Sequence, residues 1–251
     1  MTRSVLSICA PFIPVATSPP TLASLFHFTL SLHPCENVAV GAQLVLNGGV
    51  KSSPPSFELV LASASPRRRQ LLSEAGFKFI VHPSKISETL EENLIIEDQI
   101  LDLAGRKARA AMAELLPLRS NPFLVVAADT MVVHKGLPFG KPQDEQEAFL
   151  ILRRLSGAIH RVYTALSVMD SVSQSETTHL EATDVEFRPL TDNEIYEYIA
   201  TGEPMDKAGA YGMQGAGGKF VARYSGSYSN IVGLPMEAFL SVLKEQGWRI
   251  R

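Results

Sequence analysis

Cysteine is nearly absent. Cys9 and Cys35 are the only two in 251 residues, and none follows residue 35. A disulfide scaffold is excluded, and so is a cysteine nucleophile in the body of the chain. Net charge is small as well: 23 Lys+Arg against 26 Asp+Glu leave -3, which argues against a binder of nucleic-acid phosphates. No stretch reaches the roughly 18 apolar residues of a membrane span. No Asn-x-Ser/Thr sequon occurs. What is present is 45% hydrophobic and 20% charged residues, far from the composition of disordered chains. The length suffices for one full-sized domain or two small ones. The expectation is a soluble, globular, intracellular protein, without a membrane or nucleic-acid partner.

The acids are missing from the first part of the chain. Before residue 57 the only acidic residue is Glu36, and the only Lys or Arg are Arg3 and Lys51. Proline and serine recur there, at Pro11, Pro14, Pro19 and Pro20, and again from Ser52 to Ser56. Pro11 and Pro14 interrupt the apolar run that a secretory signal needs. An organelle transit peptide fits the serine content but not the scarcity of arginine; a disordered tail, or a start placed too far upstream, fits as well. The division expected is an extension over 1–56 and a folded domain over 57–251, with a cytoplasmic location unless the extension targets an organelle.

From Phe57 onward strand and helix patterns alternate, which indicates an α/β fold. Residues 57–62 read as a buried strand. Ser65 and Pro66 then suit the start of a helix that Gly76 ends. Residues 77–81 read as a strand, and 95–116 carry the longest helical periodicity. Phe123 to Ala128 is a continuous apolar run, as in a central strand; Asp129 and Thr130 are expected to stop it, with Met131 to His134 able to resume it. Further helices are expected over 144–155, 191–200 and 235–246, the second opened by a Thr191–Glu194 capping box. Further strands are expected over 161–170, 185–190 and 219–224. A Gly-rich loop spans 202–218.

Several constellations of known chemistry are lacking. The six histidines show no metal-ligand spacing. There is no G-x-S-x-G elbow and no G-x-G-x-x-G after a strand. Gly136 to Lys141 is one residue too short for a Walker loop, and Pro142 stands where Ser or Thr would hold magnesium.

Four local features can bear chemistry. Ser63 to Arg69 (SASPRRR) joins a strand to a helix N-terminus, whose free N–H groups and positive dipole end attract anions. Arginines in a first turn oppose that dipole, and a bound phosphate would offset the cost; a solvated basic helix face with a Ser-Pro cap accounts for the same residues. Asp129 ends an apolar strand, where α/β proteins bind ligands. It is a general base, a metal ligand or a turn residue. Lys141, after Gly140, is a phosphate contact or a turn lysine. In the loop Asp206 to Gly215, Gln214 can both donate to and accept from the edge of a base; the other reading is a flexible surface loop.

Taken in order, Leu61 to Arg68 (LASASPRR), Ala128-Asp129-Thr130, Gly140-Lys141-Pro142, Leu155-Ser156-Gly157 and Asp206 to Gly215 (DKAGAYGMQG) are distinctive. Over roughly Phe57 to Gly247 the chain resembles the Maf family of nucleotide pyrophosphatases. The resemblance implies an α/β fold similar to the inosine triphosphatase-like proteins, with a long mixed sheet and two lobes around a cleft. It implies hydrolysis of a nucleoside triphosphate to the monophosphate and pyrophosphate with a divalent cation, Mg²⁺ or Mn²⁺. Carried over by motif, Asp129 matches the general base, and Glu88 with Asp129 the metal-holding acids. Around Glu88 the run Ile86-Ser87-Glu88 has Ser where a second acid is common. Ser63, Arg67, Arg68, Lys107 and Lys141 match the groups around the triphosphate. Thr130 and Gln214, with Arg67, match positions tied to base choice. The Tyr211-Gly212-Met213-Gln214 run resembles the branch acting on dTTP and UTP rather than the one acting on 7-methyl-GTP. Relatives form homodimers. A non-catalytic nucleotide-binding regulator of division is the remaining alternative.

Overall fold

The computed structural model describes residues 13–14, 56–89 and 94–251. The readings of residues 1–56 therefore lie outside the described residues, Ile13–Pro14 and Ser56 apart. The strands are β1 (Ile13–Pro14), β2 (Ser56–Leu61), β3 (Phe79–Val81), β4 (Phe123–His134), β5 (Leu137–Phe139), β6 (Ile159–Asp170), β7 (Glu176–Phe187), β8 (Val221–Ser225) and β9 (Arg249–Ile250). The helices are α1 (Pro66–Glu74), α2 (Ile96–Leu115), α3 (Glu145–Leu155), α4 (Asp192–Ile199), α5 (Tyr228–Val232) and α6 (Met236–Glu245). The strands form one mixed sheet in the order β1-β8-β7-β6-β4-β2-β3, with β5 beside β4 and β9 beside β2. This is the mixed α/β architecture the alternation implied.

The helix boundaries follow local chemistry. The Ser65 hydroxyl accepts from the Arg68 N–H, and Pro66 opens α1. Gly76, at φ 81°, closes it, with the Phe77 N–H returning to the Leu72 carbonyl at 3.0 Å; only glycine takes that backbone without cost. Asp144 caps α3, and Thr191 and Glu194 form the capping box of α4.

β4 is the element the sequence misjudges. It runs unbroken through Asp129 and Thr130 for 12 residues. The reason is the antiparallel neighbour β6, which pairs with β4 from Leu124 to Val133. The parallel neighbour β2 stops earlier, at Leu61 opposite Val126, and β5 joins that edge only at Val132. Asp129 thus lies inside β4, yet just beyond the carboxyl end of β2. β7 likewise begins nine residues before the expected Val185. Its first half is mostly part-exposed, so the apolar alternation that marks a strand is missing there.

Alternation along β4 divides the core. Phe123, Val125 and Ala127 face α2, meeting Ala108, Ala111, Met112 and Leu115. Leu124, Val126 and Ala128 face the other side, with Leu71, Leu72 and Phe239 from α1 and α6. Further along that side Val132, Val162 and Phe187 support α3 and α4 through Leu152, Leu155 and Ile195. Burying each of the Val, Leu, Ile, Phe and Met side chains among these contributes about 1.5–3 kcal/mol. Met213 and Tyr228 touch both of these last two clusters, and the two lobes they define flank a cleft.

Candidate active site

The cleft opens where β2 ends, and its volume is about 550 Å³. That suits a small-molecule ligand. Every residue singled out from the sequence lines it: Ser63, Arg67, Arg68, Glu88, Lys107, Asp129, Thr130, Lys141 and Gln214.

Asp129 and Thr130 point to opposite faces, as neighbours on a strand must. On the α2 side, the buried Lys107 places its Nζ 2.7 Å from Asp129 Oδ1 and 2.7 Å from Glu88 Oε1. Burial pushes the Glu88 carboxyl up, but the hydrogen bond and charge of Lys107, aided by Lys141 and Arg68, leave it below its ordinary value. Glu88 sits on an irregular segment held to α2 by Arg106. That guanidinium donates to the Ser87 and Thr89 carbonyls at 3.2 and 2.6 Å and pairs with Asp102 at 2.7 Å.

On the other side, Arg68 donates to the Gly233 carbonyl at 2.7 Å, to Ser63 Oγ at 3.0 Å and to Thr130 Oγ1 at 3.1 Å. Burial draws this guanidinium down from its usual value, opposed by the Asp129 charge. Behind Thr130 lie two buried groups. Thr130 Oγ1 and Thr164 Oγ1 are 3.0 Å apart, and the Thr164 hydroxyl reaches the Asn230 carbonyl at 3.1 Å. Asn230 Nδ2 in turn donates to the Val162 carbonyl and Thr183 Oγ1. Arg68 is therefore fixed by a chain of polar groups rather than left to sweep the surface.

The mouth is more open. Arg67 lies 3.5 Å from the exposed Asp206, across the cleft from α1. Lys141 and Gln214 are exposed and make no side-chain hydrogen bond or ion pair with other described residues. The Gly-rich loop is packed rather than flapping. Gly209, at φ 71°, donates to the Gly140 carbonyl at 3.0 Å and lies against Val132. This ties the Lys141 segment to the Gln214 segment.

Arg106, Thr164 and Asn230 escaped the sequence reading. Arg106 bonds carbonyls of a segment without periodicity, and the other two depend on strand register. Among the described residues, no group of three or more His, Cys, Asp or Glu forms a metal cage. The donor set present is the carboxylate pair Glu88 and Asp129, which converge on one ammonium and so already share a cation.

The model of a family described as Maf-like protein matches residues 58–246. The chain belongs to the Maf family. A relative from Bdellovibrio bacteriovorus, named dTTP/UTP pyrophosphatase, is 53% identical over 187 residues, covering 74% of this chain and 97% of its own length. Relatives of the same name from Geobacillus and from Pelotomaculum thermopropionicum are 45% and 44% identical. Each alignment covers 76–77% of this Maf chain and 98–99% of the relative. A solved structure, the nucleoside-triphosphatase / dITP/XTP pyrophosphatase of Mycobacterium abscessus, matches 76% of this chain and 94% of its own. At a TM-score of 0.34 and 12% identity it is too distant to bear on the site. No described helix is long and apolar enough to cross a membrane.

Proposed function

We propose that this Maf chain hydrolyses dTTP and UTP to the nucleoside monophosphate and pyrophosphate. The observation that carries the reading is the convergence of Lys107 with Glu88 and Asp129 in a cleft that also presents Arg67, Lys141 and Gln214. The names of the relatives point the same way.

A triphosphate carries about four negative charges, and its hydrolysis needs positioning and neutralisation more than covalent chemistry. Arg67, Arg68, Lys107 and Lys141 would receive the phosphate oxygens, and the α1 N-terminus offers free N–H groups beside them. Asp129 would orient the attacking water and accept its proton. The water oxygen bonds to the α-phosphorus as the bond to the bridging oxygen breaks, and pyrophosphate leaves with that electron pair. Gln214 and Thr130 would face the base.

The carboxylate pair fits a divalent cation, because Mg²⁺ takes one or two carboxylates and completes its shell with substrate phosphates and water. Glu88 and Asp129 would hold it, and it would neutralise phosphate charge and lower the pKa of a bound water. Assembly as a homodimer in the cytoplasm completes the reading; sedimentation of the purified chain tests the dimer.

The direct test is pyrophosphate release by the full chain from dTTP, UTP, CTP, GTP and 7-methyl-GTP, with Mg²⁺ or Mn²⁺. Faster turnover of dTTP and UTP, with monophosphate as co-product, is expected. Preference for 7-methyl-GTP would keep the reaction and overturn the base assignment. Binding without turnover would overturn the enzyme reading.

A further inference from the structure

One side chain outside the cleft holds both ends of the loop that carries Gln214. Glu203 lies at the start of a short turn, Glu203–Asp206, after α4. Its Oε2 accepts the Ala216 N–H at 2.9 Å, and its Oε1 accepts the Gly217 N–H at 3.4 Å. The same Oε1 accepts the Tyr198 hydroxyl at 2.9 Å. Tyr198 in turn accepts the Gly212 N–H at 3.1 Å. The loop from Gly212 to Gly217 is thus tied at its start through Tyr198 and at its end directly. Lys207 closes the base of the assembly, donating to the Glu203 carbonyl at 2.8 Å and to Asp206 at 2.6 Å.

The approach is close. A Cβ on Gly217 would stand 2.6 Å from the Tyr198 hydroxyl and 2.9 Å from the backbone N of Gly212, and one on Gly215 would displace the Glu203 carboxylate. Charge-assisted bonds from a carboxylate to backbone N–H groups are about twice as strong as neutral ones, and Tyr198 as a whole is only 4% exposed. Meanwhile Gly212, Met213 and Gln214 line the cleft and Glu203 does not. A carboxylate that grips this loop from behind fixes where the Gln214 amide can stand.

We infer that Glu203, with Tyr198, is a positioning residue for base selection: it holds the 212–217 loop so that Gln214 meets the pyrimidine edge in one register. This rests on the reading of Gln214 as a base contact. Sites that pair polar groups discriminate strongly only when those groups are held in place.

The test is the ratio of kcat/KM for UTP to that for CTP, measured on the full chain and on Glu203→Gln, Tyr198→Phe and Gln214→Ala. A merely structural loss lowers the active fraction for all substrates alike and cancels in the ratio. In Glu203→Gln an amide group replaces one acceptor oxygen and turns a donor toward a donor. The ratio is expected to fall about tenfold toward unity, with KM for UTP rising more than kcat falls. Tyr198→Phe keeps the ring and removes the hydroxyl that joins the Gly212 N–H to Glu203, leaving the direct Glu203 bonds to Ala216 and Gly217, so the same shift, smaller, is expected; it stands in if Glu203→Gln does not fold. A ratio unchanged in both, with Gln214→Ala shifted, would overturn the positioning role alone. A ratio unchanged in Gln214→Ala would overturn the base contact, and the positioning role with it.

Discussion

Lys107 occupies a stripe position of α2, between Leu103 and Ala104 on one turn and Ala108 and Ala111 on the next, all buried. An ammonium there survives only because Glu88 and Asp129 flank it at 2.7 Å, since a buried charge without partners is strongly unfavourable. Lys107 was legible only through the family resemblance, as a group around the triphosphate; its pairing with Glu88 and Asp129 depends on the packing of α2 against β4. Asp129 was legible as a chemical group and misread as a strand terminus, because the pairing that extends β4 belongs to β6. Asp129→Asn keeps the shape, and a hydrogen bond to Lys107 survives through the amide oxygen. The expected result is an unchanged circular dichroism spectrum with turnover down by roughly 10²–10⁴-fold, the range for loss of a general base. Turnover within a few-fold of the parent would remove Asp129 from the chemistry.

Among the elements, α2 and the Gly-rich segment show how far local pattern reaches. The periodicity of α2 gave its extent to within a residue or two. It gave no hint that Arg106, on the same helix, grips the carbonyls around Glu88. Arg106→Met keeps the aliphatic stem and loses that grip. Outer partners of metal-binding carboxylates are worth about 10–100-fold in affinity or activity. Arg106→Met is therefore expected to raise the Mg²⁺ concentration needed for half-maximal rate by about tenfold, in a titration at fixed dTTP. The glycines between residues 202 and 218 marked a loop, but not that it is packed. At Gly209 a Cβ would come within 2.6 Å of Val132 on a backbone at φ 71°. Gly209→Ala combines overpacking with left-handed strain, for a cost of about 1–3 kcal/mol. Urea unfolding should show a lower midpoint at unchanged slope.

At the scale of the whole molecule, stability should depend on pH through a residue that does not itself line the cleft. His160 on β6 is 2% exposed; its Nε2 is 3.0 Å from the Tyr211 hydroxyl, and its Nδ1 has no partner among the described residues. Burial, reinforced by His134 and opposed by Asp184, lowers this imidazole to about 3. In the unfolded chain a histidine titrates near 6.5. Between those values the unfolded state binds more protons, so stability falls as pH drops below about 6.5. Carboxylates held low, such as Glu88 and Glu194, begin to act only below about pH 4.5. The denaturation midpoint should therefore be lower at pH 5 than at pH 7.5, and His160→Gln should narrow that difference; an equal difference in both would exclude His160 as the source. The sheet itself sets another global constraint. Along the β2 side of β4, no described strand pairs between Ala127 and Met131, and only residues 62–65 separate the end of β2 from α1. Insertions and deletions are consequently unequal across this chain. Extra residues in the turn between β6 and β7, where Val172 is 62% exposed, lengthen a tip that does not line the cleft. One extra residue after Leu61 would turn Arg67 and Arg68 away from the cleft or extend β2 across its opening, so the spacing of that junction constrains the cleft as tightly as the side chains it carries.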